Sequence, residues 1–241
     1  MHNRIAIFGL TGDPFTIAHR DICKQAVDTL QLQKLYVIPT VVEYHRKGKV
    51  RWLNDTQRLT CAEEMLWTLG PRYGKKIELD DSELRLKSLC MANTPLDEEV
   101  VKRRRFIHTL LDFKVRHNVD GDTLLYMIIG QDELYRFDTW YEWEFILDNI
   151  DSLAVIGRNQ DAEIDVPSRI FDKIHDNDKM HGHVEKLSLS KSYLYGVSAS
   201  AVRDYHQKGS LDDYLDYVDM VDLGEIDWKT VPWIEKRRRG V

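Results

Sequence analysis

Short, uniformly apolar runs alternate along this chain with stretches whose apolar residues recur at helical spacing. Ile5–Phe8, Leu35–Ile38, Leu124–Ile129 and Leu153–Ile156 are runs of the first kind. Strands this apolar are covered on both faces, as in a parallel sheet. Lys76–Leu79 and Val184–Leu189 predict two further strands. Between them, Ala18–Leu32 places Ile22, Ala26, Val27 and Leu30 on one helical face. Asn54 or Asp55 can cap a second helix through Leu59, Ala62, Met65 and Leu66, expected to stop near Gly70-Pro71. Thr94-Pro95 predicts a helix start whose pattern continues through Val100, Ile107, Leu110 and Leu111. Asp138–Trp143 opens a helix through Phe145, Ile146 and Leu147, and Ser198 caps a last one ending at Gly209. The alternation predicts a doubly wound α/β sheet, mainly parallel, with helices on both faces and ligands at the carboxyl ends of its strands. Residues 1–209 read as that α/β domain, and 210–241 as a helical C-terminal extension with a basic tail.

Composition narrows the class without naming a chemistry. The chain has 241 residues, 43% of them hydrophobic, which is enough for a substantial core. Its charged fraction of 31% mixes both signs to a net charge of only -6. That balance argues against disorder and against binding nucleic acid by bulk charge. No apolar run is long enough to span a membrane, and the N-terminus lacks a signal peptide's apolar core. Cys23, Cys61 and Cys90 are widely spaced and odd in number, which suits reduced thiols in a cytoplasmic protein. Lys102–Arg105 reads as a solvated helix face, and His181-Gly182-His183 as a polar loop.

Three segments carry candidate chemistry, and each follows a strand or opens a helix. In the first, Gly9, Leu10, Thr11 and Gly12 form a glycine-punctuated turn after a strand, followed by Thr16 and His19. Free N–H groups and a helix dipole make such a turn a phosphate cradle, and His19 is aimed at whatever it holds. The second is Ser198-Ala199-Ser200-Ala201-Val202-Arg203, a capped helix start whose arginine can reach back to the same opening. The third is Gly130-Gln131-Asp132 followed by Thr139-Trp140-Tyr141. A carboxylate just past a parallel strand suits ribose hydroxyls, and a nearby Trp can stack on a flat heterocycle.

In this order and at these separations the segments resemble the nucleotidyltransferase superfamily. Its signatures are a G-x-F-D-P-x-H/T-x-G-H turn and an I-S-x-T/S-x-I/V-R helix start. Within it the chain looks most like the nicotinate or nicotinamide mononucleotide adenylyltransferases. Ile129–Asp132 and Thr139–Trp143 match that family's I-G-x-D strand end and T-W-x-x-W stretch. Pro39–Arg46 partly matches its P-x-x-x-P-P-H-K loop, with His45 and Arg46 as the basic pair, and Ile107–Leu110 weakly echoes S-Y-T-x-D-T-L. The chain departs from the first signature at Gly12, where the family has Phe, and at Ala18, where it has Gly.

The resemblance implies a Rossmann-like fold and an enzyme that moves AMP from ATP to the 5′-phosphate of a pyridine mononucleotide, releasing pyrophosphate. His19, Thr16 and Arg203 would be its catalytic residues. ATP would lie on Gly9, Leu10, Thr11, His19, Gly130, Asp132, Ser198, Ala199, Ser200 and Arg203. The mononucleotide would meet Thr11, His45, Arg46, Thr109, Trp140 and Tyr141. Mg²⁺ would arrive on the ATP phosphates without a protein cage. No nucleic acid or membrane partner is implied, and a homo-oligomer is left open, as is the choice between nicotinate and nicotinamide. Two other readings stay open at this point. One is adenylyl transfer to another phosphorylated acceptor, such as pantetheine phosphate. The other is a nucleotide-binding regulatory protein with impaired catalysis.

Overall fold

In the computed structural model, residues 2–41, 52–85, 106–157, 163–177, 180, 184–191, 194 and 196–207 are described. Six strands form one sheet in the order β3-β2-β1-β4-β5-β6. They are β1 (Asn3–Leu10), β2 (Lys34–Pro39), β3 (Ile77–Leu79), β4 (Thr123–Gly130), β5 (Ser152–Ile156) and β6 (Val184–Leu187), and every neighbouring pair is parallel. The parallel sheet is thus as expected from the apolar runs. Alternation within each strand feeds two cores. Ala6, Phe8, Tyr126 and Ile128 face one layer, whereas Ile5, Ile7, Leu125, Met127 and Ile129 face the other.

On the first layer lie α1 (Ile17–Thr29) and α2 (Asp55–Trp67), through Ile22, Ala26, Cys61 and Met65. The short α3 (Gly70–Gly74) follows. On the second lie α4 (Phe106–Arg116), α6 (Trp143–Asp148) and α7 (Ser168–His175), through Leu110, Phe113, Ile146 and Ile170. The four-residue α5 (Gln131–Leu134) follows β4 directly, and α8 (Ala199–Gln207) closes the described chain.

Several boundaries differ from the sequence expectation. Helix α1 ends at Thr29 and not Leu32, because Gln31 takes a left-handed backbone with φ 53°. Helix α2 stops at Trp67, close to the expected Gly70-Pro71, but that pair opens a further short helix, since proline is tolerated in a first turn. Asp138 falls in a 3₁₀ turn, Phe137–Thr139, and α6 begins only after Glu142, whose φ is 54°. Helix α7 buries just Ile170 and Ile174, too few apolar positions to predict it. The Thr94-Pro95 helix start, Cys90, Lys102–Arg105, His181–His183 and residues 210–241 lie outside the described residues. No helix among those described is long and apolar enough to cross a membrane.

Candidate active site

Strand order reverses between β1 and β4, the place where a doubly wound sheet opens a crevice beyond its carboxyl ends. A cavity of about 520 Å³ opens there. It collects Gly9, Leu10, Thr11 and His19 from the β1 side, Gly130 from the end of β4 and Asp132 from α5, Trp140 and Tyr141 beyond them, and Ser198, Ala199, Ser200 and Arg203 from α8 and its cap. Three segments far apart in sequence therefore share one chamber. His45 and Arg46 lie outside the described residues. Thr16 and Thr109 do not line the cavity.

The turn after β1 is held from below. Gly12 has φ +56°, a left-handed conformation that favours glycine, and a β-carbon there would meet only Leu10 and Phe15 at 3.8 Å. Asp13 is buried, and its two carboxylate oxygens accept the N–H groups of Trp52 at 3.0 Å and Leu53 at 2.8 Å. Arg58, on α2, is fully buried. Its Nε donates to the Thr11 carbonyl at 2.7 Å, its Nη2 to the Thr40 carbonyl at 2.6 Å, and its Nη1 pairs with Asp55 at 3.1 Å. One guanidinium thus ties the end of β1 to the residue after β2. This residue was not singled out in the sequence, where it reads as one more polar position on an amphipathic helix.

His19 owes its state to Thr16. The Thr16 N–H donates to His19 Nδ1 at 3.0 Å, with the Thr16 hydroxyl 2.9 Å from the same nitrogen. The pair forms a capping box in which histidine takes the place of the usual glutamate. Because Nδ1 accepts, the proton of the neutral ring sits on Nε2. Desolvation beside Phe15, whose ring centroid is 5.2 Å away, lowers the His19 pKa to about 4. The imidazole therefore enters the cavity uncharged, as an N–H donor.

At the opposite wall the Ser198 hydroxyl accepts the Ala201 N–H at 3.1 Å, as the cap reading expects. Arg203 donates through Nη1 to the Asp13 carbonyl and through Nη2 to the Ser200 hydroxyl at 3.0 Å. The guanidinium consequently bridges the two glycine- and serine-rich openings. Toward the other end, Trp140 packs edge-on against Phe106 and tilted against Phe137, at centroid distances of 5.5 and 5.1 Å. Phe106 lies over Gly9, where a β-carbon would come within 3.2 Å of its ring. Glu83 also lines this end; it accepts the Val41 N–H at 2.7 Å and the Thr109 hydroxyl at 3.0 Å. Tyr141 is 55% exposed at the rim. A cradle of N–H donors with one guanidinium at one end, and an aromatic corner at the other, can hold a polyphosphate beside a flat ring.

Comparison with known proteins agrees with this geometry. The chain is 28% identical over 220 residues to the "Probable nicotinate-nucleotide adenylyltransferase" of Shigella boydii serotype 4, covering 87% of this chain and 91% of that protein. It is equally similar over 222 residues to the nicotinate-nucleotide adenylyltransferase of Escherichia coli O157:H7. Among solved structures, the Plasmodium falciparum nicotinic acid mononucleotide adenylyltransferase complexed with APC shares the fold, with a TM-score of 0.57 at 16% identity. That match covers 90% of this chain and 96% of the other. A family model described as cytidylyltransferase-like matches residues 7–204, which hold all three cavity-forming segments, and the chain belongs to that family.

Proposed function

We propose that this protein is a nicotinate mononucleotide adenylyltransferase, moving AMP from ATP to the 5′-phosphate of the mononucleotide and releasing pyrophosphate. The observation that carries the reading is that the cavity at the strand-order reversal is lined by both phosphate-type openings and by Asp132 and Trp140. Nicotinate is favoured over nicotinamide by the relatives that align along most of the chain.

The acceptor phosphate is already anionic, so no covalent enzyme intermediate is required. The task left to the chain is to align two anions and to stabilise charge as it develops. His19 donates its Nε2 proton as a hydrogen bond to the α-phosphate; being neutral, it needs no proton transfer. Arg203 exchanges the Asp13 carbonyl for the β- and γ-phosphates, with Ser198 and Ser200 adding donors at the α8 opening. Asp132 accepts from the adenosine ribose. Trp140 stacks on the pyridine ring, and the bare Cα of Gly9 leaves space for Phe106 beside it. Thr16 acts through His19 by fixing its tautomer, and Thr109 acts through Glu83.

Mg²⁺ fits this site as a companion of the nucleotide. Both oxygens of Asp13, the carboxylate of the first turn, are engaged by main-chain N–H groups, so phosphate oxygens and water would supply its ligands. When bound it would offset phosphate charge.

Incubation with ATP, Mg²⁺ and either nicotinate or nicotinamide mononucleotide, following pyrophosphate, tests the reading. Release with nicotinate mononucleotide well above that with the amide is expected. No release with either removes it.

A further inference from the structure

The helix that carries His19 is also tied to the connection that leads into α8, outside the cavity lining. Asp21 stands on α1, two residues past His19, and is 7% exposed. One carboxylate oxygen accepts the Ser190 main-chain N–H at 2.7 Å and the other accepts its hydroxyl at 2.7 Å. Ser190 belongs to the connection leading from β6 to α8, and 169 residues separate it from Asp21. Hydrogen bonds to a carboxylate shielded from water are the strong kind, and two from one residue fix orientation as well as distance. The preceding Leu189 is buried in the same core as Ile22 and Cys23, so both ends of the link are anchored.

A further link, Arg203 to the Asp13 carbonyl, uses the guanidinium that faces the cavity. An incoming triphosphate competes for that group, so the link is exchanged on binding. Asp21 and Ser190 use nothing the nucleotide needs. We infer that Asp21 and Ser190 are positioning residues for the ATP site: their paired hydrogen bonds hold the opening of α8 at a set distance from the β1 turn while Arg203 changes partners. The inference rests on the reading of the cavity as an adenylyltransferase site.

The full-length variants Ser190→Ala and Asp21→Asn test it. Ser190 is exposed, so its variant removes the hydroxyl's hydrogen bond to Asp21 without disturbing the core. ATP affinity is measured by calorimetry without acceptor, amide hydrogen exchange at residues 196–203 in the free protein, and KM for both substrates in turnover. The expected result is faster exchange at 196–203 in both variants. ATP binding should weaken by about tenfold in Asp21→Asn, the order of one hydrogen bond to a charged group, and by less in Ser190→Ala. The mononucleotide KM should stay at the wild-type value, a split that a general loss of stability would not produce. Unchanged ATP affinity in both variants overturns the inference, whatever the exchange shows, and so does an equal weakening toward both substrates. A wild-type protein that forms no pyrophosphate with either mononucleotide removes the adenylyltransferase reading instead. ATP affinity then still decides the role of the pair.

Discussion

Arg58 Nε donates to the carbonyl of Thr11 at 2.7 Å, across 47 residues of sequence. The same guanidinium takes the Thr40 carbonyl and Asp55, with no exposure to solvent. The shape of the phosphate turn therefore depends on a cation that does not line the cavity.

Replacing Arg58 by alanine would leave two strand-end carbonyls without this donor in a buried place. A loss of roughly 2–5 kcal/mol is expected, from unsatisfied acceptors and a broken partly buried ion pair. Arg58→Lys keeps the charge but cannot bridge both carbonyls with a planar fork, so kcat/KM should fall even where the fold survives. Urea midpoints and steady-state rates measure the two effects. An Arg58→Lys enzyme with wild-type kcat/KM would show that the turn needs only the charge.

His19→Ala should lower kcat by about 10²–10³, the usual cost of losing one donor aimed at a transition-state anion. The KM for ATP should change little, since a neutral N–H contributes modestly to ground-state binding. Single-turnover rates at saturating substrates measure the chemical step directly. A wild-type rate would remove His19 from the mechanism.

The His19 ring also predicts a pH effect on stability. Its folded pKa of about 4 lies below the ordinary value of 6.5, so between these pH values the unfolded chain binds the additional proton. This group's contribution is complete above pH 6.5 and is lost as pH falls toward 4. His19→Gln should accordingly show a shallower decline of unfolding free energy over that window than the wild type. Parallel slopes from urea unfolding at pH 6.5, 5.5 and 4.5 would mean that the ring is not desolvated.

Gly130→Ala acts on the ribose contact. A β-carbon at Gly130 would lie 2.6 Å from Asp132 Oδ1, so the carboxylate must swing away. The KM for ATP should rise roughly tenfold, the order of one hydrogen bond to a charged group. The mononucleotide KM should be unmoved. Initial-rate titrations of each substrate separate the two, and equal increases would place Asp132 elsewhere than at the adenosine.

What the sequence determined by itself is local. Uniform apolar runs such as Leu125–Ile129 read as strands covered on both sides, and Ser198 marks a cap by its own side-chain chemistry, whereas Gly9, read as part of the turn, still lies within β1. The spacing of Thr16 and His19 likewise needs only one helical turn to bring them together. Element ends were less legible, because Gln31 stops α1 through a left-handed φ that no periodicity announces, and α7 presents only Ile170 and Ile174 to a core. Everything that depends on strand order was decided by the tertiary structure. Residues 9–19, 130–141 and 198–203 meet because β1 and β4 pair in parallel and the winding reverses between them. Arg58 and Asp21 look like surface charges on helices until β1, β2 and β6 deliver the carbonyls and the serine that bury them. A buried polar side chain is defined by its partners, and here those partners lie tens of residues away, where only the packed sheet can place them.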